Sequence, residues 1–477
     1  MIGMTVREIA QLVGGKVAHL DPDLVITGKV EFDSRRLEPG DLFLAMKGER
    51  VDGHDYAETA LAAGAVAVLA TRQLPEKVPA IVVADPIAAI TALATESARR
   101  LTATVIEVTG SSGKTTTKDL LAQVLSRHGR TVAPPESFNN ELGFPYTVLL
   151  AGAETEYLVL EASARGVGHI SQLTRIAPPR IAAVLNVGSA HLGEFGSVAA
   201  IAKAKGELVE ALPATGVAVL NADDGAVSAM AARTDARVVT FGEHPAAGVR
   251  AADVRLDGSG RASFTLVAGG ESAPVALQVL GEHQVSNALA AATVALQVGM
   301  PLAAVADALS AATIRSHWRM EVTEVAGVTV VNDAYNANPE SVRAALKSLA
   351  ILAGRDREAR RSIAVLGEMA ELGAESVTAH DAIGRLAVRL DVNLVIAVGE
   401  PARPIANGAA LEGSWDGEAQ WVPDNAAAAQ LLLAEVRPGD VVLVKGSRAA
   451  ELQQVAEALI AGLRAAGRAA DEGSQRA

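Results

Sequence analysis

Two rhythms of apolar and polar positions alternate along this chain. Short β-branched runs recur at Ala65 to Leu69, Ala80 to Val83, Thr104 to Val108, Tyr157 to Leu160, Ile181 to Leu185, Ile363 to Leu366, Leu394 to Val398 and Asp440 to Val444. Ala/Leu-rich stretches with helical spacing separate them. Strands alternating with helices in this way predict an α/β fold with mainly parallel sheets.

Turn signals divide the pattern into three units. Residues 1–84 form a small, turn-rich α/β unit, with E-P-G-D at Glu38 and V-D-G-H-D at Val51. Residues 85–313 carry a helix pattern from Asp85 to Leu101, a strand–loop–helix unit at Thr104 to Arg127 and a more β-like insert from Arg237 to Val279. Residues 314–465 make a third α/β unit, and the polar tail 466–477 is expected to be disordered. The 477-residue length agrees with three domains at about 150 residues each.

Composition narrows the chemistry. Half the residues are hydrophobic and only 3% aromatic, so a large core must rest on Ala, Val and Leu. The net charge of −13 argues against broad nucleic-acid binding, and any phosphate must be met by local Lys, Arg and backbone N–H groups. With no cysteine, disulfide scaffolds, zinc–thiolate sites and thiol catalysis are excluded. The longest apolar stretches, such as Leu61 to Ala70, fall far short of the roughly 20 residues of a membrane span. The start, M-I-G-M-T-V-R-E-I, has no basic-then-apolar signal pattern, so the chain is expected to be soluble and cytoplasmic.

The strongest motif is T-V-I-E-V-T-G-S-S-G-K-T-T-T-K-D, an apolar strand running into Gly110-Ser111-Ser112-Gly113-Lys114-Thr115-Thr116 and then a helix. Glycines let backbone N–H groups turn inward, and a helix N-terminus adds partial positive charge. Lys114 is placed for the β/γ-phosphates and the Thr115 hydroxyl for Mg²⁺. Only two residues separate Gly110 from Gly113, where the standard loop has four between its glycines. The motif establishes a nucleotide and leaves the reaction open.

Other polar residues fall at strand ends. Glu161 follows Tyr157 to Leu160, as a magnesium ligand or a loop carboxylate paired with Arg165. His191 lies in N-V-G-S-A-H-L-G-E-F-G after the next strand, where a lone histidine is more often structural. Lys203 and Lys205 read by spacing as solvated helix lysines, with Lys203 and Glu207 an i,i+4 pair. His283 and Asn287 share one helix face, and Asn287 reads equally as a purine contact or a polar cap. Arg319 lies near a domain boundary, where it could clamp a γ-phosphate. Asn338 caps a helix that has Pro339 at its first position, which leaves Asp333, Tyr335 and Asn336 unexplained at a strand's end.

Taken together, T-G-S-S-G-K-T-T, F-N-N-E-L-G-F-P, N-V-G-S-A-H-L-G-E-F-G, A-K-A-K-G-E, G-E-H-Q-V-S-N-A-L-A-A and V-N-D-A-Y-N-A-N-P-E-S resemble the Mur ligases of peptidoglycan synthesis. F-D-S-R-R-L-E-P-G-D-L-F-L-A-M-K-G, V-D-G-H-D-Y, A-V-L-G-E-M-A-E-L-G and V-L-V-K-G-S-R point the same way, so the resemblance runs from about residue 5 to 460. Two positions depart from the family pattern, A-S-A-R-G after Glu161 and Gln284 in the adenine segment.

The resemblance implies a UDP-sugar-binding domain, a central P-loop ATPase domain and a C-terminal Rossmann-like domain. It implies an ADP-forming amide ligase that uses ATP and Mg²⁺, and within the family it favours joining D-alanyl-D-alanine to UDP-N-acetylmuramoyl-tripeptide. The alternatives are a Mur-type or folylpolyglutamate-type ligase with another acceptor, or a nucleotide-dependent binding protein. By resemblance, Lys114 and Thr115 hold phosphates and the first magnesium, with Glu161 as a magnesium ligand. His191 serves a second magnesium, and Lys205 is the carbamylated lysine of A-K-A-K. Asn287 and His283 meet adenine, Arg319 the γ-phosphate, Asp333 the ribose, and Asn336 falls in the same loop. Asp33, Ser34 and Arg35, with Gly48 and His54, bind the UDP-muramoyl substrate, and Asn139 and Asn140 contact its sugar or peptide. The family also suggests a monomer.

Overall fold

The computed structural model describes residues 1–48, 51–354, 360–413 and 415–475. The β-branched runs form strands in three main sheets, joined by the predicted helices. Near the N-terminus, five strands lie in the order Lys16–Ala18, Ala80–Val82, Ala67–Ala70, Leu42–Leu44, Val30–Glu31. A two-stranded ribbon, Met4–Thr5 with Val25–Ile26, lies beside them. Helix Val6–Val13 starts in a capping box between Thr5 and Glu8, which satisfies first-turn donors locally.

Helix Pro86–Arg100 begins at Asp85, whose side chain accepts from Ile87 and Ala88 N–H, with proline in the first turn. Its Ile90, Leu93 and Ala94 belong to one core that runs from Ile9 and Leu69 through to Phe144 and Leu158. The division expected between 84 and 85 is thus a change of sheet, with packing continuous across it.

The central sheet has nine strands, in the order Glu271–Leu280, Arg261–Ala268, Val249–Leu256, Arg237–Gly242, Val217–Asn221, Ile181–Val184, Thr104–Thr109, Tyr157–Glu161, Thr131–Val132. Pairing is parallel from Thr131–Val132 to Val249–Leu256, and antiparallel over the last three strands, where the sequence reads as more β-like. Thr104–Thr109 sits between Tyr157–Glu161 and Ile181–Val184, and the connections leave it on opposite sides. Ligands collect at such a switch point, beyond the carboxyl ends of the strands.

The third sheet has the order Glu321–Val325, Val328–Asn332, Val441–Lys445, Ser362–Leu366, Leu394–Val398, Glu418–Val422, with only the first pair antiparallel. Ala326 and Gly327 turn that hairpin with φ of 49° and 76°, the two positive values a tight two-residue hairpin needs. Helix Gln453–Gln475 runs past 465, where the sequence predicts a disordered tail; alanine and arginine are strong helix formers and sustain it. Residues 476 and 477 of that tail lie outside the described residues. Among the described residues no helix is long and apolar enough to cross a membrane.

One core residue breaks the apolar pattern. Glu107, mid-strand between Leu160 and Ala182, is fully buried, and among the described residues neither carboxyl oxygen has a hydrogen-bond partner. Burial raises its pKa well above the usual carboxyl value. The folded state therefore holds this proton more tightly than the unfolded chain. Stability should fall as pH rises from the unfolded value, about 4.3, toward the raised folded value. Glu107→Met should remove that slope and stabilise by about 1–3 kcal/mol at pH 8. Thermal melts of both proteins at pH 5 and 8 test this; a destabilised Met variant at both pH values contradicts it.

Candidate active site

The phosphate loop joins strand Thr104–Thr109 to helix Lys114–Leu125. Asn186 splints it: its Oδ1 accepts from Ser112 N–H at 2.9 Å and its backbone carbonyl accepts from Ser111 N–H at 3.1 Å. Gly113, at φ 79°, precedes the helix, which has no side-chain cap. A Cβ there would lie 2.2 Å from Asn287 Oδ1, so both the backbone and the space require glycine. The free N–H groups of the first helical turn face the cleft as an anion site. Lys114 Nζ donates to the Gly110 carbonyl at 2.7 Å, and burial lowers its pKa.

A chain of donors ends on Glu161. Arg319 Nη2 donates to Ser137 Oγ at 2.9 Å, and Ser137 and Thr115 hydroxyls meet at 2.6 Å. Thr115 Oγ1 donates to Glu161 Oε2 at 3.0 Å, and Asn139 Nδ2 to Oε1 at 2.7 Å. Glu161 has no ion pair with Arg165 among the described residues, so the alternative pairing read from the sequence is not the one formed. A threonine hydroxyl beside a buried carboxylate is a hard-oxygen donor set of the kind Mg²⁺ takes.

His191 lies in the same cleft in a left-handed conformation, φ 61°. Its Nδ1 meets the Glu371 carboxylate, and Glu194 lies 3.7 Å away. Burial and then the charge of Lys114 push its pKa down to about 4, so at neutral pH it is an uncharged imidazole with a lone pair to offer. On helix Val198–Glu210, Lys203 is exposed but Lys205 is only 4% exposed. Spacing read both as solvated, and Lys205 is the correction: two residues along a helix point to different faces. The expected Lys203–Glu207 pair is absent too, because Glu207 accepts from Gly168 and Ser171 N–H. Lys205 makes no hydrogen bond or ion pair among the described residues, and burial, then Lys114, holds its amine well below 10.5. It lies near enough to act electrostatically on His191.

The opposite wall comes from the third sheet. Arg319 stacks on Tyr335 at 4.1 Å, and its Nε is buried without a hydrogen-bond partner among the described residues. Asp333 accepts from Met320 N–H and pairs with Lys445 Nζ at 2.6 Å; Lys445 also donates to the Asn336 carbonyl. Asn336 Oδ1 accepts from Ala337 N–H. Asn338 caps helix Pro339–Ala353 as expected, and its Nδ2 also donates to the Ser111 carbonyl at 3.4 Å. Glu340 accepts from Ser189. Asn287 lies inside helix Gln284–Gln297 and is not a cap; its Nδ2 donates to Gln284 and its Oδ1 accepts from Thr117. His283 is exposed in the cleft, where its Nε2 lies 3.1 Å from Gln284 Nε2. Lys118 and Asp119, both buried, tie the peptide at Arg315 and Ser316 to the phosphate-loop helix. The cleft between the walls measures about 630 Å³.

The N-terminal candidates lie outside this cleft, which Asn139 and Asn140 reach from the central sheet. Asp33 carries a two-pronged pair with Arg35, which lowers its pKa. Ser34 adjoins them, and Gly48 N–H donates to the Val51 carbonyl. Nearby Glu31 is buried and accepts from Tyr146 Oη at 3.1 Å, tying the first sheet to helix Gly143–Leu150, while Phe32 packs edge-on against Phe138 in the loop carrying Ser137 to Asn140. His54 is buried with both nitrogens engaged, Nδ1 with Asp52 at 2.5 Å and Nε2 accepting from Thr71 N–H at 3.0 Å. A ring so committed braces its own domain and has no nitrogen left for a ligand. His54→Ala should lower thermal stability by about 1–3 kcal/mol and leave KM for a nucleotide-sugar substrate unchanged. A raised KM with an unchanged melt contradicts that.

Known proteins decide the family. UDP-N-acetylmuramoyl-tripeptide--D-alanyl-D-alanine ligase of Mycobacterium tuberculosis is 52% identical over 503 aligned positions, covering 97% of this chain and 98% of the relative. The chain belongs to the Mur ligase family. The same-named ligase of Escherichia coli is 34% identical, covering 96% of this chain and 99% of its own length. Family profiles match in chain order: the Mur ligase family catalytic domain at residues 28–108, the Mur ligase middle domain at 108–295 and the glutamate ligase domain at 318–448. Among solved structures, MurF from Acinetobacter baumannii superposes with a TM-score of 0.82 at 32% identity, covering 96% of this chain and 99% of that one. MurF ligase from Thermotoga maritima, solved in complex with ADP, gives 0.74 at 30%, covering 92% and 98%.

The Mur ligase cleft brings together Lys114, Thr115, Glu161, His191, Asn287, Arg319, Asp333 and Asn336. It also contains Ser137, Glu371 and Lys445, which the sequence does not flag. Glu371 and Lys445 lie in the segments A-V-L-G-E-M-A-E-L-G and V-L-V-K-G-S-R, whose match to the family was their only signal.

Proposed function

We propose that this chain is an ATP-dependent ligase that joins D-alanyl-D-alanine to UDP-N-acetylmuramoyl-tripeptide, giving the pentapeptide precursor, ADP and phosphate. The observation that carries this reading is the meeting of Lys114 and Arg319, from two different sheets, at the Thr115–Ser137–Glu161 cluster. That is the place for a transferring phosphoryl group, and the named relatives supply the substrates.

The tripeptide carboxylate attacks the γ-phosphorus, forming an acyl phosphate as ADP leaves. The dipeptide amine then attacks the acyl carbon, and phosphate departs from the tetrahedral intermediate. A carboxylate approaching a polyanion meets strong repulsion, and fixed positive charge at the γ-phosphate lowers it in the transition state. Lys114 and the first-turn N–H groups hold the phosphates from one side, and Arg319 from the other. We assign Asn287 and His283 to adenine, and Asp333, with Asn336 beside it, to the ribose; all four line the cleft. We assign Asp33, Ser34 and Arg35 to the nucleotide-sugar, and Asn139 and Asn140 to its sugar or peptide portion.

Thr115, Glu161, His191 and a carbamylated Lys205 are the residues that would hold Mg²⁺. When bound, the metal neutralises developing charge on the phosphoryl oxygens. Closing of the third unit on the second would exclude water from the acyl phosphate. We place the enzyme in the cytoplasm, as a monomer whose residues 1–84, 85–313 and 314–465 serve sugar-nucleotide binding, ATP binding and ligation.

Phosphate release from ATP, with each substrate alone and with both, tests the reading. Release should require both and match pentapeptide formation. An enzyme that binds ATP but releases no phosphate with that pair would not have this acceptor.

A further inference from the structure

Helix Lys114–Leu125 carries a buried ion pair that the proposed chemistry does not use. Lys118 is 1% exposed and Asp119 4%, and their charged groups meet at 2.6 Å. An ammonium has three N–H donors and no acceptor. Lys118 commits all three, to the Asp119 carboxylate, to the Pro134 carbonyl at 3.0 Å and to Ser316 Oγ at 3.1 Å. A buried lysine is costly unless its donors are met, and here two of the acceptors stand on separate loops.

Each of those two acceptors lies three residues before a residue of the phosphate site. Pro134 precedes Ser137, Ser316 precedes Arg319, and Arg319 Nη2 donates to Ser137 Oγ at 2.9 Å. Asp119 adds to the hold on the second loop, accepting from the Arg315 and Ser316 N–H groups at 3.1 and 2.9 Å. Gln123 takes the Thr313 peptide at both its N–H and its carbonyl. On the far side, Met320 N–H donates to Asp333 and the Trp318 carbonyl accepts from Tyr335 N–H. Arg319 is thus carried on a peptide fastened to the phosphate-loop helix at one end and to the third sheet's loop at the other. Its neighbours Trp318 and Met320 have left-handed backbones, φ 57° and 49°. Side chains rarely adopt that conformation, and it persists where the surroundings over-determine it.

We propose that Lys118 is a positioning residue for Arg319: by gathering Pro134 and Ser316 at one ammonium, it brings the guanidinium to Ser137 across the cleft. The role of Arg319 at the γ-phosphate rests on the function proposed above; the holding of its peptide by Lys118 does not.

The test uses the full chain as wild type, Lys118→Met, Ser316→Ala, Arg319→Ala and the Lys118→Met/Arg319→Ala double variant, each well below its melting temperature. In Lys118→Met, Asp119 keeps its donors from Arg315 and Ser316. Amides of residues 136–140 and 313–320 should exchange hydrogen about tenfold faster or more, the equivalent of one hydrogen bond to a charged group. Those of the phosphate-loop helix should not change. Turnover should fall roughly 10–100-fold, the scale of a reacting group misplaced by about 1 Å, with the affinity for AMP-PNP unchanged. In the Arg319→Ala background the same substitution should cost less than about threefold, because its effect passes through Arg319. Ser316→Ala cuts only the arm toward Arg319; it should speed exchange at 313–320 and not at 136–140, and lower turnover. That variant decides the matter if Lys118→Met does not fold. Unchanged exchange in both segments, or equal losses in the two backgrounds, overturns the proposal. Weakened AMP-PNP binding overturns it too, by making Lys118 a brace of the phosphate loop. If the wild type forms no ligation product, the proposed function fails, and the exchange comparison still decides what Lys118 holds.

Discussion

Lys205→Ala should lower turnover by at least about 10²–10³-fold, the scale of losing one preorganised electrostatic group, without lowering the melting temperature. Lys205 is buried, and no acid among the described residues pairs with it. A buried amine without a partner costs folding energy whether charged or neutral, so deleting it should not destabilise the fold. Its depressed pKa favours the neutral amine, the form that reacts with CO₂. The nitrogen lone pair attacks the carbon, one N–H proton passes to water, and the product is an anionic carbamate. That group supplies the hard oxygen donor that a lysine lacks. Acetate or propionate added to Lys205→Ala should therefore restore part of the activity, by placing a carboxylate in the vacated space. Steady-state rates with and without the acid check this. Wild-type turnover in the variant would remove Lys205 from the chemistry.

Arg319→Ala should lower kcat by about 10³-fold, the lower end for an arginine on a transferring phosphoryl group, while KM for ATP changes little. The two quantities separate because, in the proposed site, the guanidinium touches only the γ-phosphate, whereas Lys114, the first-turn N–H groups and the adenine residues hold the rest of the nucleotide. Tyr335 at 4.1 Å and Ser137 at 2.9 Å fix its plane. Arg319→Lys should not restore activity, since a lysine lacks the planar fork that stacks and reaches Ser137 together. Separate measurement of kcat and KM checks this. A raised KM with unchanged kcat would make Arg319 a ground-state binder.

Much of the fold is legible because parallel strands buried on both faces read as uninterrupted apolar runs. The run Tyr157 to Leu160 predicts a strand that forms over Tyr157–Glu161, and Leu394 to Val398 matches to the residue. The phosphate loop is local, so its chemistry can be read from one stretch of chain. Spacing between the two lysines alone reads Lys205 as solvated, yet a signal exists: Ile201, Ala204, Lys205 and Leu208 fall at i, i+3, i+4 and i+7, the buried stripe of that helix. Glu371, Ser137 and Lys445 owe their places to tertiary contacts, which no spacing encodes. His54 sits beside a turn motif whose sequence does not reveal that Asp52 and Thr71 occupy both its nitrogens.

The measurement that bears most directly on the proposed chemistry is isotope transfer. UDP-N-acetylmuramoyl-tripeptide carrying ¹⁸O in its terminal carboxylate is incubated with ATP, Mg²⁺ and D-alanyl-D-alanine, and the released phosphate is analysed by mass. Attack of that carboxylate on the γ-phosphorus predicts one carboxylate oxygen in each phosphate formed with pentapeptide. Phosphate with no oxygen from the carboxylate would mean that ATP is cleaved by water, and would contradict the acyl-phosphate route.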